Sequence, residues 1–304
     1  MEKSLSFPSS RLAAKLRAGS FAVTCDLHPP RGINLENFCR EATLLREWAD
    51  ALFVTESPGA RPRVSSLAAC IRLRQAEGLE PVLQVVCIRS NRVALQSELL
   101  GAAAWGISNL LVLGGDSAAL GSCPQAEDVR CMDSTACIAM ARDMRDVGRL
   151  VDGSPLRGSA PFFVGAAVDP GGGQEEADRL RAKLEAGADF VVTQPVCDGG
   201  GFASWWERVR PLLGGRPLLA GVLVLGDPRT ARYLTRNLPG VRVPRTVLER
   251  LEASSRPAAE GAAMAAETAR ALRDLPGLGG VHFMNACGVE TLIEAIRKSG
   301  LRGA

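Results

Sequence analysis

The sequence predicts a closed (β/α)8 TIM barrel occupying residues 1–304 as one domain, with residues 1–19 a short N-terminal lead-in. Three observations carry this reading. Short apolar runs and longer amphipathic ones alternate strictly through eight units. Runs such as NLLVL (Asn109–Leu113) and DFVVT (Asp189–Thr193) lack a polar face, so their strands are buried on both sides, as in a parallel sheet. Gly78, Gly106, Gly148 and Gly187 each follow a helical stretch, where a left-handed cap is cheapest. Alternation means α/β, and eight units favour closure over an open sheet. The first strand–helix turn reads DLHPPRG (Asp26–Gly32), without the glycine fingerprint of a doubly wound nucleotide-binding sheet.

The units follow in order. Phe21–Leu27 reads as a strand before helical Asn34–Trp48, and Ala51–Thr55 before Ser65–Glu77. Pro81–Ile88 precedes Arg92–Gly106, and Asn109–Leu113 precedes Asp133–Val147. Pro161–Val168 leads into Gln174–Ala186, and Asp189–Val196 into Phe202–Leu213. Leu218–Leu225 is followed by helical material from Pro228 to Asp274, with an alanine-rich run, Ala258–Ala271, that suits close helix packing. Gly280–Met284 and helical Val289–Ser299 complete the count.

Composition excludes several classes. Lys plus Arg is 36 and Asp plus Glu is 33, a net charge of +3, whereas nucleic-acid binders carry a clustered basic excess. One tyrosine (Tyr233, expected to be structural) and two histidines (His28, His282) leave little for stacking platforms or multi-histidine metal sites. The nine cysteines are dispersed and form no C-x-x-C pair, which reads as reduced thiols, mostly filling the core, in a cytoplasmic protein. Residues 1–20 hold no apolar h-region, and no stretch approaches the ~20 apolar residues of a membrane span. Neither a nucleic-acid nor a membrane partner is expected.

In a barrel, chemistry sits at the carboxyl ends of the strands. The polar residues there include Asp26, His28, Thr55, Gln84, Arg89, Asp116, Gln194 and His282. They contain no Cys–His nucleophile pair and no carboxylate cage for a metal. One or two carboxylates, an amide and glycines that admit close backbone approach, Gly115 among them, suit a planar heterocycle instead. Asp116 could equally cap the next segment, Gln194 could be a loop amide, and His282 could be an ordinary core histidine. His28 lies two residues after Asp26 and on an extended strand would share its side, so it is expected to assist that acid.

The strings DLHPPRG (Asp26–Gly32), NRVALQS (Asn91–Ser97) before NLLVLGGD (Asn109–Asp116), and GADFVVTQPV (Gly187–Val196) together resemble 5,10-methylenetetrahydrofolate reductases, in the short bacterial catalytic-domain form. The resemblance runs from Ser20 to Leu301 in order. It implies a flavoprotein of one-carbon metabolism and methionine biosynthesis, an oxidoreductase that holds FAD. Such an enzyme interconverts 5,10-methylene- and 5-methyltetrahydrofolate, with electrons from NADH, NADPH or a partner reductase. A homo-oligomer or hetero-complex would fit that family. Two other readings stay open: a folate-binding component of a methyltransferase or demethylase system, and a reductase subunit active only with a partner.

Residue by residue, the resemblance makes Asp26 the general acid, in the column where the family carries glutamate. Thr55 would contact the flavin, and Gln84 stands where flavin-binding members often have histidine. Asp116, beside Gly115, would lie near flavin and pterin. Lys183 would reach the flavin phosphates, and Gln194 would hold folate. His282 is expected on the substrate side of the last strand.

Overall fold

The computed structural model describes residues 10–75, 79–197, 199–238 and 240–302. Glu77 and Gly78, expected at a helix end, lie outside the described residues, as do residues 1–9 of the lead-in. Eight strands run parallel: β1 (Ala22–Leu27), β2 (Ala51–Val54), β3 (Pro81–Val86), β4 (Asn109–Leu113), β5 (Phe163–Val168), β6 (Phe190–Val196), β7 (Leu218–Leu225) and β8 (Gly280–Ala286). They close in sequence order, with β8 paired to β1 in a register that sets Thr24 beside His282. The (β/α)8 barrel expected from the alternation is the fold.

The helices after β1 to β6 are α2 (Glu36–Leu45), α3 (Ser66–Arg74), α4 (Arg92–Ala104), α5 (Ser134–Asp146), α6 (Gly173–Ala186) and α7 (Gly199–Val209). Side-chain caps start several of them: Asn91 accepts from the Ala94 amide and Asp133 from that of Ala136. Gly106, Gly148 and Gly187 have the positive φ that the sequence reading required. The single helical stretch expected after β7 is three helices: α8 (Pro228–Asn237), α9 (Arg245–Ala253) and α10 (Pro257–Arg273). Pro244 and Pro257 interrupt it, since neither can donate a helical hydrogen bond. The alanine-rich α10 buries Ala262, Ala265, Ala266 and Ala269, and α11 (Val289–Ser299) closes the chain's last unit. Among the described residues, no helix is long and apolar enough to cross a membrane.

Alternation of side chains divides each strand between two cores. On β1, Val23, Cys25 and Leu27 pack outward under the helices, while Ala22 faces the barrel axis with Phe53, Phe163 and Phe190. Phe163 stacks on Phe190 at 4.9 Å, and Phe53 meets Phe190 edge-on at 6.4 Å. Gly165 makes room for this: a Cβ there would fall 2.4 Å from the Phe190 ring. These bulky rings fill the lower barrel axis, and the polar side chains of the cleft lie above them.

The lead-in is more than an approach to the barrel. Its residues Arg11–Arg17 form α1, whose Leu12, Ala13 and Leu16 seal the amino-terminal end of the barrel against Phe163 and Leu219. Glu80 accepts from the Arg11 and Leu12 amides at 2.9 Å each and from Asn109 Nδ2 at 2.9 Å, fixing α1 to β4. Of the nine cysteines, Cys25, Cys70, Cys87 and Cys137 are buried, Cys39 and Cys197 are half-buried, and Cys123, Cys131 and Cys287 are exposed on loops. The core-filling expectation therefore fails for the last three, which lie in loops.

Candidate active site

A cleft of about 1040 Å³ opens at the carboxyl ends of the strands. It lies at the large end of the small-molecule range. Asp26, His28, Thr55, Gln84, Gly115, Asp116, Lys183 and Gln194 all line it. His282 does not. It is 1% exposed, one layer below, with its ring 4.3 Å from that of Phe53.

Asp26 is held from beneath. His282 Nε2 lies 3.2 Å from Asp26 Oδ1, and Gln84 Nε2 donates to the same oxygen at 3.4 Å. On the other side of the imidazole, Thr24 Oγ1 is 3.0 Å from Nδ1 and 3.3 Å from the Val281 carbonyl. The shorter contact assigns the threonine hydrogen to Nδ1, which puts the imidazole hydrogen on Nε2, facing Oδ1. Asp26 Oδ2 has no protein hydrogen bond among the described residues. One oxygen is anchored by two N–H donors and the other is available to a ligand.

His28 is otherwise engaged. Its Nε2 donates to the Asn285 carbonyl at 2.7 Å, and its Nδ1 lies 2.8 Å from Thr55 Oγ1. A carbonyl only accepts, so neutral His28 takes the Thr55 hydroxyl hydrogen on Nδ1. Both ring nitrogens are occupied, and among the described residues no hydrogen bond joins His28 to Asp26. The imidazole in contact with Asp26 comes from β8, not from the neighbouring position on the chain.

The segment after β2 is clamped over the cleft. Asp116 Oδ2 accepts from the Gly59 amide at 2.7 Å, so its capping role is to a distant loop and not to its own. Arg89 donates to the carbonyls of Glu56 and Ser57 at 2.9 and 2.8 Å. Ser57 and Ala60 sit at φ 44° and 50°, in the left-handed region that non-glycine residues rarely adopt. Such strain clusters at ligand sites, where surrounding contacts over-determine the backbone. Gly115, at φ +97°, has a packing reason to be glycine: a Cβ would lie 2.2 Å from Val86 Cγ1.

Gln194 owes its aim to an irregularity. The β6–β7 register shifts between Val192 and Pro195, and such bulges re-aim side chains beside active sites. Thr193 stabilises the shift by donating to the Gln194 carbonyl at 2.8 Å and accepting from Gly221 at 2.9 Å. On α6, Lys183 Nζ donates to the Ala167 carbonyl at 2.7 Å, with Glu176 3.8 Å away. Burial pushes this ammonium below the usual lysine range, and Glu176 only partly offsets that.

Sequence reasoning missed part of the lining. Tyr233, expected to be structural, faces the cleft and accepts from Arg61 Nη2 at 2.8 Å. The reason is topological: α8 follows β7 and returns over the barrel mouth. Arg61 and Arg63 also line the cleft, joined by Arg31 from the DLHPPRG string. The signal of Arg61 and Arg63 in the sequence was a local excess of arginine after the second strand.

The family described as methylenetetrahydrofolate reductase matches residues 11–299. The chain belongs to this family. Methylenetetrahydrofolate reductase 1 of Schizosaccharomyces pombe is 23% identical over 207 residues, covering 65% of this chain and 32% of the relative. A probable NADPH-dependent methylenetetrahydrofolate reductase of Caenorhabditis elegans is 24% identical over 242 residues, 75% of this chain and 34% of the relative. The chain thus spans about a third of the length of these curated relatives. Among solved structures, an uncharacterised Clostridium thermocellum protein that binds two copies of 5-methyl-5,6,7,8-tetrahydrofolic acid superposes with a TM-score of 0.67 at 11% identity, covering 95% of this chain and 98% of its own. DmoA from Hyphomicrobium sulfonivorans gives 0.56 at 10% identity, over 91% and 86% of the two chains. At these identities both likenesses establish the barrel alone.

Proposed function

We propose that this family member is a flavin-dependent oxidoreductase that interconverts 5,10-methylene- and 5-methyltetrahydrofolate in the cytoplasm. The observation that carries the reading is the Asp26 carboxyl, anchored through Oδ1 and open at Oδ2 on the floor of a heterocycle-sized cleft. Opening the methylene bridge requires a proton on the departing nitrogen, and a buried carboxyl group held in one orientation is suited to give it. When Oδ2 releases its proton, the charge left on the carboxyl is stabilised by the N–H groups of Gln84 and His282, both already in place. Gln194 would hold the pterin from the opposite wall.

The donor set fits FAD. Lys183 and Arg179 on α6, both ion-paired with Glu176 and Arg179 also with Glu175, would turn to phosphates in exchange for these acids, and Leu113, Val86 and Leu223 offer apolar walls to a planar ring. Gly114 lines the cleft with nothing within 4 Å of where a Cβ would stand, which leaves the β4 backbone open to close approach. Bound flavin would supply the hydride, while the chain supplies position, charge and the proton.

The test is spectroscopic. The purified protein, supplied with FAD, should show bound oxidised flavin, bleach on addition of NADH or NADPH, and recover its colour with 5,10-methylenetetrahydrofolate. Failure to take up flavin would sink the flavin part. Folate binding without hydride transfer would favour the methyl-transfer component, and activity restored only by a co-purifying protein would favour the partner-dependent subunit.

A further inference from the structure

His28 is placed to decide which way the Thr55 hydroxyl faces. It follows β1 and reaches the ends of both neighbouring strands. Its Nε2 meets the Asn285 carbonyl on β8 at 2.7 Å, and its Nδ1 meets Thr55 Oγ1, just past β2, at 2.8 Å. Thr55 is also held through its backbone, where its amide donates to the Leu27 carbonyl at 3.2 Å. Its side chain is buried, and its hydroxyl makes no second hydrogen bond among the described residues. Both residues line the cleft, and the proton transfer proposed for Asp26 uses neither.

A threonine hydroxyl ordinarily rotates to donate or to accept, as its neighbour requires. Here that choice is removed. The Asn285 carbonyl only accepts, so the one ring hydrogen of a neutral imidazole sits on Nε2, and Nδ1 keeps a lone pair. The Thr55 hydrogen is spent on that lone pair, and only oxygen lone pairs remain toward the cleft. A ligand N–H or O–H seated there is satisfied. A ligand carbonyl seated there faces another acceptor, and gives up its hydrogen bond with water for nothing. The layer below repeats the arrangement: Thr24 Oγ1 lies 3.0 Å from Nδ1 of His282, which leaves that ring's hydrogen for Asp26. Two threonine–histidine pairs, one above the other, set hydrogen-bond polarity on this side of the barrel.

We propose that His28 is a positioning residue that determines specificity: it holds Thr55 as an obligate acceptor, so the cleft selects a heterocycle edge presenting N–H there and rejects one presenting a carbonyl. The proposal rests on the reading of the cleft as a flavin and folate site.

Two measurements test it. The first is nitrogen-15 NMR of the full chain labelled in its histidine rings, at about pH 8, where an imidazole is ordinarily uncharged. The chain has two histidines, so the spectrum of His282→Asn assigns both. His28 should carry its hydrogen on Nε2 alone, with and without FAD. A hydrogen on Nδ1 in either state would reverse the Thr55 hydroxyl and overturn the proposal.

The second is titration with FAD, followed by flavin absorbance. In His28→Phe the Thr55 hydrogen loses its acceptor once the ligand displaces water, so binding should weaken by about tenfold. Thr55→Val should weaken it by about as much, and adding His28→Phe to Thr55→Val should cost little more, because His28 acts through that hydroxyl. His28→Gln offers a donor and an acceptor spaced like the two ring nitrogens and should recover most of the affinity. Tighter binding by His28→Phe would mean that the ligand presents an acceptor, and would overturn the proposal. So would a full further loss in the Thr55→Val background, or failure of glutamine to rescue. If the unmodified protein takes up no FAD but binds 5-methyltetrahydrofolate with this same pattern across the variants, the polarity stands and the flavin reading falls. Binding of neither would sink both.

Discussion

His282 Nε2 and Asp26 Oδ1 stand 3.2 Å apart across the β8–β1 seam, although 256 positions separate them in the chain. The contact exists because the last strand pairs with the first, and because Phe53 and Thr24 fix the imidazole from below and beside. It makes His282 a positioning residue for the proposed acid. His282→Asn, which withdraws the donor from Asp26, should lower kcat by about 10²-fold with KM little changed. His282→Gln can place an amide N–H near the lost Nε2 and should recover much of the rate. Steady-state kinetics on the flavin-loaded protein would check both, and a purely structural role would predict that neither variant is rescued.

Lys183 is a half-buried cation with one carbonyl and a loose acid for company. Lys183→Met preserves the stem and removes the charge, so it should weaken FAD binding by about tenfold to a hundredfold without unfolding α6. Equilibrium dialysis followed by flavin absorbance measures this directly. Unchanged affinity would remove Lys183 from the phosphate site.

Glu98 on α4 has its pKa raised from 4.5 to about 7, first by burial and then by the charge of Glu56. A carboxyl raised in the folded state binds more protons there than in the unfolded chain. Its contribution is therefore fully present below about pH 4.5 and is lost as pH rises toward about 7. The loss is on the order of 3 kcal/mol. Glu98→Gln should remove that slope and leave the protein more stable near pH 8 than the parent, as urea unfolding at two pH values would show.

Gly165→Ala tests the packing beneath the site. The added methyl would fall 2.4 Å from the Phe190 ring and should destabilise by about 1–3 kcal/mol, read as a lowered Tm. Combining it with Phe190→Leu, which vacates that space, should cost less than the sum of the two single changes.

How much of this was legible depended on how far apart the interacting residues lie. β4, β7 and α11 have the bounds that the sequence pattern gave them, because long apolar runs and helical periodicity are local signals. The short α1 was overlooked, although Leu12 and Leu16 carry the i, i+4 spacing of a helix face. The bulge that turns Gln194 inward leaves no mark of its own in the residues of β6.

The sequence by itself determined the barrel, its strand order and the rim on which polar residues gather. Alternation, strand length and apolar pattern dictate those directly. Tertiary structure alone decided which groups meet there: His282 and not His28 beneath Asp26, Asp116 clamped to Gly59, Tyr233 and three arginines at the mouth. Two residues apart on a strand, side chains share a face but not a contact. Adjacency at the top of a barrel is set by closure, by loops that cross the mouth and by which ring fills the layer below. Each of these brings together positions far apart in the chain.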